Sequence, residues 1–434
     1  MIKKISVTDV SSDVAKLRNA AYNLCGDTNQ TIDTIFNDVI INGDTALINY
    51  TEKFDNTKVQ SLRISEEDIR QAYRNVSKKQ IQALTLMKKR VAQTERMLLN
   101  RLTGKRMQIL NDGIFLQKII RPLSSVGCYV PGGNARYPST LVMCAVPARI
   151  AGVERIVAIS PPMRDGNVDP LTLVAADICN VDEIYRVGGV QGIAALAFGT
   201  NTIKKVNKIV GPGGMFVTLA KIAASRHVSI DMIAGPTELV VYSDEHGNSK
   251  YIARDLISQA EHSVDTLCGL VTTSKTLADD VESELVSIIN SNHEPLSRAE
   301  IVRKSIGDRG FIAICKNEAL AIEFINELAP EHLQIQGRNE RSLAKRMTSA
   351  GLILIGEYTP SSASDYLLGS DHVLPTSGFA KSRGSLSVLD FIKIINKVEL
   401  SRKGLEKVGP LLKEITSAEG LLNHYEAVKE RTSR

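Results

Sequence analysis

The sequence predicts an α/β protein with two Rossmann-like lobes, each an incomplete, doubly wound layer of strands and helices, and with helical extensions at both termini. Two observations predict this fold class. After residue 125, short apolar runs alternate with helical stretches, and a second alternating series starts at residue 238. Such alternation is typical of parallel sheets with crossover helices. In addition, 434 residues are enough for two or more domains.

The segment from residue 10 to 105 predicts a run of helices, because its apolar residues recur at helical spacing. Gly43 is predicted to end one helix and Asp44 to cap the next. Ser77 and Gln80 form a capping-box pattern in front of a long charged helix. We expect these helices to pack with the lobe that is formed by the series starting at residue 238.

The strands follow as short apolar runs. In the first lobe they are predicted at Val126–Val130, Ile156–Ser160, Glu183–Val187 and Lys208–Val210. In the second lobe they are predicted at Leu239–Tyr242, Thr266–Thr272, Phe311–Cys315, Leu333–Gln336 and Leu352–Ile355, with helices such as Glu318–Leu328 between them. After Ser385 the chain becomes mainly helical again. This tail is too short to bury a large core alone, so we expect it to dock on the body or on another subunit.

The composition argues against nucleic-acid and membrane partners. The 53 basic and 48 acidic residues give a net charge of +5, and the basic residues are dispersed, as on solvated helix faces. The most apolar segment, residues 139 to 161, contains Pro147 and Arg149 and cannot span a bilayer. The start of the chain has no apolar core of signal-peptide length, and the six cysteines form no Cys-x-x-Cys pair. These features predict free thiols and a cytoplasmic location.

A candidate metal site includes Gln259 and His262. They lie three residues apart in a segment, Lys250 to His262, that predicts a helix, so both side chains share one face. Imidazole, an amide oxygen and a carboxylate suit a cation such as Zn²⁺, and Asp365 and His424 are the further ligand candidates. From the spacing alone, an ordinary surface helix is the better interpretation.

A candidate acid–base pair is Glu331 with His332, which follows an amphipathic helix and precedes an apolar strand. We expect this pair among the carboxyl-side loops, where α/β sheets bind ligands. Both side chains transfer protons, and a histidine titrates near neutrality without special tuning. An ordinary loop is the competing interpretation, but four of the seven histidines, at positions 262, 332, 372 and 424, fall in polar motifs of this kind.

Two further polar pairs leave alternatives open. Asp371 and His372 lead into a turn and have either a direct or a structural role. Glu419 and His424 are five residues apart, about 140° around a helix. They reach one pocket only if it abuts the side of the helix or if the helix ends between them.

Three glycine-rich turns follow predicted strands, at Val130–Gly133, Val187–Gln191 and Gly211–Gly214. Glycine lets the backbone approach a ligand, and a following helix offers its N-terminus to phosphate groups. None of the turns matches the dinucleotide fingerprint or contains a Walker lysine. Both a nucleotide site and ordinary strand-to-helix turns remain open on this evidence.

Taken together, these blocks resemble histidinol dehydrogenase from end to end. They match the family in order and in spacing: Arg121–Pro122, Val126–Gly127, Tyr129–Gly133, Val187–Gln191, Gly211–Gly213, Ala234–Glu238, Asp255–His262, Pro330–Leu333, Asp365–Tyr366, His372–Thr376, Glu419 and His424. The resemblance implies oxidation of L-histidinol to L-histidine through histidinal with two NAD⁺, the last step of histidine biosynthesis.

The resemblance also implies roles for individual residues. One Zn²⁺ per subunit would be held by Gln259, His262, Asp365 and His424. The catalytic pair would be Glu331 and His332. The substrate would be surrounded by Thr237, Gln259, His262, His332, Asp365, Glu419 and His424. The cofactor NAD⁺ would contact Tyr129, Gln191 and the position of Gly214. The family is a homodimer with exchanged C-terminal tails, so Glu419 and His424 would complete the site of the partner.

The chain departs from the family pattern at three positions. Gly214 stands where asparagine is common, which removes one side-chain contact to NAD⁺. Thr237 stands where serine is common and keeps the hydroxyl. Asp371 stands where asparagine is usual and adds a negative charge near a cationic substrate.

The predicted division of the chain is an N-terminal arm at 1–24, one lobe at 25–128 and 237–381 with the metal and catalytic residues, the other lobe at 129–236 for NAD⁺, and a C-terminal tail at 382–434. One alternative function is a paralogous zinc- and NAD-dependent enzyme for another polar alcohol, such as a sulfonated diol. An anionic substrate would need extra basic residues, whereas Glu419 favours a cationic one. The other alternative is a metal-binding protein without catalysis, which the presence of both Glu331 and His332 disfavours.

Overall fold

The computed structural model describes residues 2–19, 26–103, 108–132, 136–291 and 296–433. Cys25 and Gly133, on which two of the predictions above depend, lie outside the described residues. The five described cysteines are free and buried.

The strands alternate with the helices along most of the chain. The strands are β1 (Lys3–Ser6), β2 (Gln108–Asn111), β3 (Ile114–Pro122), β4 (Ser125–Tyr129), β5 (Arg155–Ser160), β6 (Glu183–Arg186), β7 (Lys208–Val210), β8 (Ser229–Ile230), β9 (Glu238–Ser243), β10 (Leu267–Thr272), β11 (Phe311–Ile314), β12 (His332–Gln336), β13 (Leu352–Ile355) and β14 (Ile392–Leu400). The helices are α1 (Val10–Asn19), α2 (Gly26–Asn42), α3 (Asp44–Asp55), α4 (Glu66–Arg74), α5 (Lys78–Thr103), α6 (Pro138–Ala151), α7 (Pro170–Ile178), α8 (Gly189–Phe198), α9 (Met215–Ala224), α10 (Ser249–Ala260), α11 (Lys275–Ile289), α12 (Ala299–Asp308), α13 (Glu318–Leu328), α14 (Glu340–Ala344), α15 (Ser361–Ser364), α16 (Arg402–Ala418) and α17 (Leu422–Thr432).

The larger sheet is parallel throughout and has the strand order β1-β11-β10-β9-β12-β13. Helices cover both of its faces, which explains why its strands are continuous apolar runs. On β9, Leu239 and Val241 pack toward α10, α11 and α12, whereas Val240 and Tyr242 pack toward α1 and α13. The predicted α/β class is confirmed.

The smaller parallel sheet has the order β6-β5-β4-β7-β8. The helices α2 to α5 pack on it: Leu84 and Val91 of α5 join the core on one face, and Ile35 and Leu47 of α2 and α3 join the core on the other. We expected these helices to pack with the lobe whose strands begin at Leu239. Instead, their apolar faces cover both faces of the smaller sheet. The division into domains as a whole stays a prediction.

The helix signals near the N-terminus are confirmed in part. Ser77 and Gln80 form the expected reciprocal capping bonds in front of α5. Gly43, with a φ of 53°, separates α2 from α3. Asp44, however, does not cap α3. Its carboxylate accepts hydrogen bonds from the hydroxyl groups of Thr200 and Thr202 and so ties α3 to the loop after α8.

The region after Ser385 is predicted to be mainly helical, and the structure places a nine-residue strand in front of its helices. The strand β14 pairs antiparallel with β3, and β3 pairs with β2, so a three-stranded ribbon precedes the terminal helices. The sequence of β14 mixes apolar and basic residues without strict alternation. Its pairing partner is distant in sequence, so the local pattern did not indicate a strand.

The helices α16 and α17 pack against each other and extend from this ribbon. The backbone N–H of Ser401 donates to the carbonyl oxygen of Gly113 in the turn between β2 and β3, and Lys407 forms an ion pair with Asp112 in the same turn. We call α16 and α17 the terminal helix pair. None of the helices in the described residues is both long and apolar enough to cross a membrane.

Candidate functional site

The candidate catalytic residues lie at the amino-terminal edge of the six-stranded sheet. Glu331 directly precedes β12, and His332 is its first residue and the register partner of Leu239 on the parallel strand β9. Thr237 directly precedes β9 and lies at the same edge. The prediction that Glu331 and His332 lie among the carboxyl-side loops is therefore wrong. A residue that immediately precedes a parallel strand lies at the amino end of that strand, and the following apolar run was the signal that should have decided this.

Several bonds hold the buried pair Glu331 and His332 in place. The Oε2 atom of Glu331 accepts hydrogen bonds from the backbone N–H of Glu238, at 2.7 Å, and from the hydroxyl of Thr237. The Nδ1 atom of His332 lies 3.0 Å from the carbonyl oxygen of Glu238. Because a carbonyl oxygen only accepts, Nδ1 carries the hydrogen of the neutral imidazole, and Nε2 is left as the proton acceptor.

Asp365 lies opposite His332. Its Oδ1 atom is 3.3 Å from Nε2 of His332, an ion-pair contact in which neither atom has an aligned hydrogen-bond partner among the described residues. Burial lowers the pKa of His332, but the charges of Glu331 and Asp365 outweigh burial and raise this pKa well above its ordinary value. Burial raises the pKa of Asp365, and its interactions with His332 outweigh burial and lower it. The near-neutral pKa expected for His332 is therefore not the one that this packing produces.

Gln259 is oriented by a chain of hydrogen bonds. It is buried in the last turn of α10, and its Nε2 atom donates to the hydroxyl of Thr237 at 2.7 Å. Thr237 in turn donates to Glu331. Because the amide nitrogen is engaged, the amide oxygen of Gln259 faces the hydroxyl of Ser361, at 3.5 Å, and remains available as a ligand atom.

Gln259, His262 and Asp365 offer a donor set that fits a zinc ion. The helix α10 ends at Ala260, two residues earlier than predicted, but the backbone N–H of His262 still bonds to the carbonyl oxygen of Gln259. His262 is exposed, and the Oδ1 atom of Asp365 is buried without a hydrogen-bond partner among the described residues. An amide oxygen, an imidazole nitrogen and an unpaired carboxylate oxygen are suitable ligands for Zn²⁺.

Glu419 and His424 are not joined to this cluster within one chain. Both side chains are exposed on the terminal helix pair. The helix α16 ends at Ala418 and α17 begins at Leu422, so the two residues are separated by a break between helices. This is one of the two arrangements that would let both side chains reach a shared pocket. In the described part of a single chain, no hydrogen bond or ion pair links either residue to the candidate metal ligands.

A second group of possible ligands lies at the opposite edge of the same sheet. Asp244, Glu245 and His246 follow β9, and one ligand atom from each lies within 4.8 Å of the others. The carboxylate of Asp244 already accepts hydrogen bonds from the backbone N–H groups of His246, at 2.9 Å, and Arg338, at 3.0 Å. These bonds explain the group as a tight turn, and the cluster around Gln259 remains the better candidate.

The contacts of His372 favour the structural interpretation of that residue. Its Nδ1 atom is 2.6 Å from the carbonyl oxygen of Asp365, and its Nε2 atom is 3.4 Å from the hydroxyl of Thr140 on α6. His372 thus connects a candidate metal ligand to a helix of the smaller sheet. Asp371 is buried, and burial raises its pKa well above the usual range, with the charge of Glu95 adding to the effect. The added negative charge expected at Asp371 is therefore opposed by its surroundings.

The candidate cofactor residues lie at the carboxyl edge of the smaller sheet, where α/β sheets bind ligands. Tyr129 ends β4, and its hydroxyl accepts the backbone N–H of Gly189 at 3.3 Å; burial raises the pKa of Tyr129 to about 12. Gln191 is buried in the first turn of α8, and its Oε1 atom has no hydrogen-bond partner among the described residues. Gly214 is the N-cap of α9. Two helix N-termini and an unpartnered amide oxygen at one edge fit a nucleotide such as NAD⁺.

Two residues of the site were missed as participants by the sequence analysis. Glu238 was noted only as part of a motif, and Arg18 was not singled out. In the structure, the guanidinium of Arg18 forms a two-point contact with the carboxylate of Glu238. That carboxylate also accepts the backbone N–H of Glu331, a member of the catalytic pair. The sequence contains no signal for this pairing, because the two residues lie far apart along the chain.

Comparisons with known proteins identify the family of the chain. A sequence model of the family described as histidinol dehydrogenase matches residues 19–432. Histidinol dehydrogenase of Clostridium acetobutylicum is 45% identical over 404 residues, covering 93% of this chain and 92% of the relative. That of Methanocaldococcus jannaschii is 39% identical over 401 residues, covering 92% of each. The crystal structure of histidinol dehydrogenase from Elizabethkingia anophelis superposes with a TM-score of 0.93 at 32% identity, covering 100% of this chain and 98% of that one.

Proposed function

This chain belongs to the histidinol dehydrogenase family, and from that premise we propose that it is a zinc-dependent enzyme that oxidises L-histidinol through histidinal to L-histidine with two NAD⁺, the last step of histidine biosynthesis. The observation that carries the proposal is the cluster at one sheet edge. There, the buried pair Glu331 and His332 lies beside the unpaired oxygen of Asp365 and the oriented amide of Gln259.

His332 is the group that accepts the substrate proton. Its Nδ1 atom is engaged with the backbone carbonyl of Glu238, so the proton is accepted at Nε2, which lies 3.3 Å from Asp365. A zinc ion held by Asp365 would offset the carboxylate charge that raises the pKa of His332 and would so leave Nε2 able to accept the proton. Gln259, His262 and Asp365 would hold a zinc ion, which would supply a Lewis acid for binding and orienting the substrate, and NAD⁺ would supply the hydride acceptor. The placement of His332 by the backbone gives a proton acceptor whose orientation does not depend on the substrate.

Glu331 is the group that activates water for the second oxidation. Both described hydrogen bonds of its carboxylate, from Thr237 and from the backbone of Glu238, are made to Oε2. This arrangement leaves Oε1 to accept a proton from the water that hydrates the aldehyde. After His332 has released the first proton to solvent, it accepts the proton of a hydroxyl of the hydrated aldehyde in the second step.

We propose that the enzyme is a cytoplasmic homodimer and that Glu419 and His424 complete the site of the partner. The terminal helix pair exposes large apolar side chains, including Leu411 at 71% and Leu422 at 62% of full exposure. Exposed apolar surface on a projecting helix pair is typical of a subunit interface. Glu419 would then add a carboxylate for the cationic substrate, and His424 would add the fourth zinc ligand.

The test is histidinol-dependent formation of NADH by the purified chain, measured before chelation, after chelation and after zinc is restored. We expect activity that chelation removes and zinc returns. A sulfonated diol serves as the competing substrate. Turnover of the diol without turnover of histidinol would contradict the substrate assignment, and tight zinc binding without NADH formation from either alcohol would contradict the enzymatic function.

A further inference from the structure

The carboxylate of Glu238 is the centre of a buried network behind the catalytic pair. Glu238 begins β9 and is only 3% exposed. Its Oε1 atom accepts the backbone N–H of Ser377 at 2.8 Å, and its Oε2 atom accepts the backbone N–H of Glu331 at 3.3 Å. Since the backbone N–H of Glu238 also donates to the side chain of Glu331, the two residues are joined by reciprocal bonds. Any shift of the Glu238 carboxylate therefore acts directly on the catalytic turn.

Arg18, near the end of α1, holds this carboxylate from the other side. Its two terminal nitrogens contact the two carboxylate oxygens of Glu238, with a distance of 3.1 Å from Nη2 to Oε2. The guanidinium also donates to the carbonyl oxygens of Leu328 and Ala329, the last residue of α13 and its C-cap. Ala329 adopts a left-handed conformation with a φ of 48°, and the chain continues through Pro330 to the catalytic pair. Arg18 thus secures both the backbone before Glu331 and the carboxylate behind it.

The two buried carboxylates in this network require a nearby cation, and Arg18 provides it. Glu238 and Glu331 are neighbouring buried carboxylates, and two such groups repel each other unless a cation compensates them. Burial raises the pKa of Glu238, and Arg18 opposes that rise while the charge of Glu331 adds to it. The charge of Arg309 also reaches Glu238. The guanidinium of Arg18 is the cation in direct two-point contact, and its planar shape matches a carboxylate.

We propose that Arg18 and Glu238 form a positioning pair that fixes the Glu331–His332 turn in its catalytic geometry. Through this pair, the N-terminal helix α1 contributes to catalysis in addition to packing on the sheet. The inference rests on the proposed function, because it assigns to these residues an effect on Glu331 and His332. Neither Arg18 nor Glu238 is required to touch substrate or metal.

The test is the kinetics of Arg18→Met with histidinol. We expect kcat to fall about 10- to 100-fold, because a displacement of about 1 Å in a reacting group costs that much. The KM for histidinol is expected to stay within about 3-fold of wild type, and the zinc content to stay at one per chain, because neither Arg18 nor Glu238 contacts a candidate metal ligand among the described residues. Arg18→Lys should recover part of kcat, since lysine keeps the charge but loses the two-point geometry.

The matched control is Arg149→Met. Arg149 makes the same kinds of contact on α6, to the carboxylate of Asp182 at 2.7 Å and to the carbonyl oxygens of Val153 and Asn180. Its loss should lower thermal stability to a similar extent and leave kcat unchanged. The double variant Arg18→Met with Glu238→Gln should lower kcat by less than the product of the two single effects, because the residues act as one unit.

Three results separate the possible failures. Wild-type protein that does not oxidise histidinol would defeat the proposed function itself, and full activity of Glu331→Gln would defeat the assignment of the catalytic pair. If the wild type oxidises histidinol and Glu331→Gln is impaired, those two assignments stand. In that case a wild-type kcat in Arg18→Met, or a change confined to KM or zinc content, would overturn the positioning role alone. Should Arg18→Met fail to fold, Arg18→Lys and Glu238→Gln decide the same question, with wild-type kcat in both again overturning it.

Discussion

At the scale of single residues, one hydroxyl connects the candidate metal site to the candidate catalytic pair. Thr237 accepts a hydrogen bond from the amide of Gln259 and donates one to the carboxylate of Glu331. The first bond points the amide oxygen of Gln259 away from Thr237 and toward the hydroxyl of Ser361, where it is free to serve as the proposed zinc ligand. The second fixes one oxygen of Glu331 and leaves the other for water. The hydroxyl, rather than the threonine methyl group, is the part of this residue that the site requires.

Thr237→Val is therefore expected to lower zinc affinity about 10- to 100-fold, because the amide of Gln259 loses the partner that orients it. The measurement is competition for zinc with a chromophoric chelator. Thr237→Ser, which keeps the hydroxyl, serves as the control and should bind zinc like wild type. Equal affinities in the valine and serine variants would contradict the role given to the hydroxyl.

Gly214 offers a second test at this scale. Its φ of −64° and ψ of 176° are open to any residue, and a Cβ atom there would meet no neighbour within 4 Å. Gly214→Asn is expected to lower the KM for NAD⁺ about 3- to 10-fold, by adding one hydrogen bond of ordinary strength to the cofactor, with the KM for histidinol unchanged. Gly214→Ala has the Cβ atom without the amide, so an equal gain in both variants would refute the predicted contact.

At the scale of elements, α10 is joined to β12 by a buried polar contact. Asp255 of α10 accepts hydrogen bonds from the side-chain amides of Gln334, at 2.8 Å, and Gln336, at 3.3 Å. Burial raises the pKa of Asp255 to about 6. The side-chain oxygens of both glutamines are buried without a hydrogen-bond partner among the described residues. The contact holds α10, which contains Gln259, against β12, which contains His332. Because Asp255 is buried, its ionisation lowers the stability of the folded chain, so the stability contribution of this residue depends on pH.

The sign of this dependence follows from the raised pKa. The folded chain holds the Asp255 proton more tightly than the unfolded chain, so the stabilising contribution is fully present below about pH 4 and is lost as the pH rises toward 6. Asp255→Asn removes the charge. Relative to wild type, its free energy of unfolding should rise between about pH 4 and 6 by at most about 3 kcal/mol and then keep that gain.

Chemical denaturation at pH 5 and pH 8 measures the effect of Asp255→Asn. The control is Asp280→Asn, which replaces an exposed carboxylate on α11. A gap between Asp255→Asn and wild type that does not change with pH would show that the aspartate is not buried in the way described.

Elements with strong local signals were predicted closely, and elements defined by distant partners were not. The helix Glu318–Leu328 was predicted with the bounds that the structure has, and β12 differs by one residue. The strand β14 was missed because its apolar residues have meaning only beside β3. The edge at which Glu331 and His332 lie was predicted wrongly because the preceding helix, rather than the following strand, was used to place them.

At the scale of the whole molecule, the proposed function requires residues that one chain does not bring together. Gln259, His262 and Asp365 belong to the body, whereas Glu419 and His424 lie exposed on the terminal helix pair. The apolar side chains exposed on this part of the chain continue along β14, at Ile394 and Val398. We therefore expect a second copy of the chain to cover this surface and to receive the two residues.

Complementation between two inactive variants tests this exchange. His332→Asn is expected to abolish turnover in the body with zinc still bound, and His424→Ala to abolish it through the tail. In a purified heterodimer of these variants, one site combines the intact body of one chain with the intact tail of the other, so about half of the wild-type activity per dimer is expected. The homodimers of each variant are the controls. An inactive heterodimer, or a chain that sediments as a monomer, would show that each tail serves its own body.

The amino-acid sequence by itself determined the α/β class, the periodic helices and strands, and the residue types with the chemistry for zinc binding and proton transfer, because these depend on local spacing and side-chain chemistry. Only the tertiary structure decided that Glu331 and His332 lie at the amino edge of a sheet, that Thr237 orients Gln259, and that Arg18 compensates Glu238. These facts depend on which distant segments pack together. Close packing brings residues into contact regardless of their separation along the chain, and local pattern has no information about that separation.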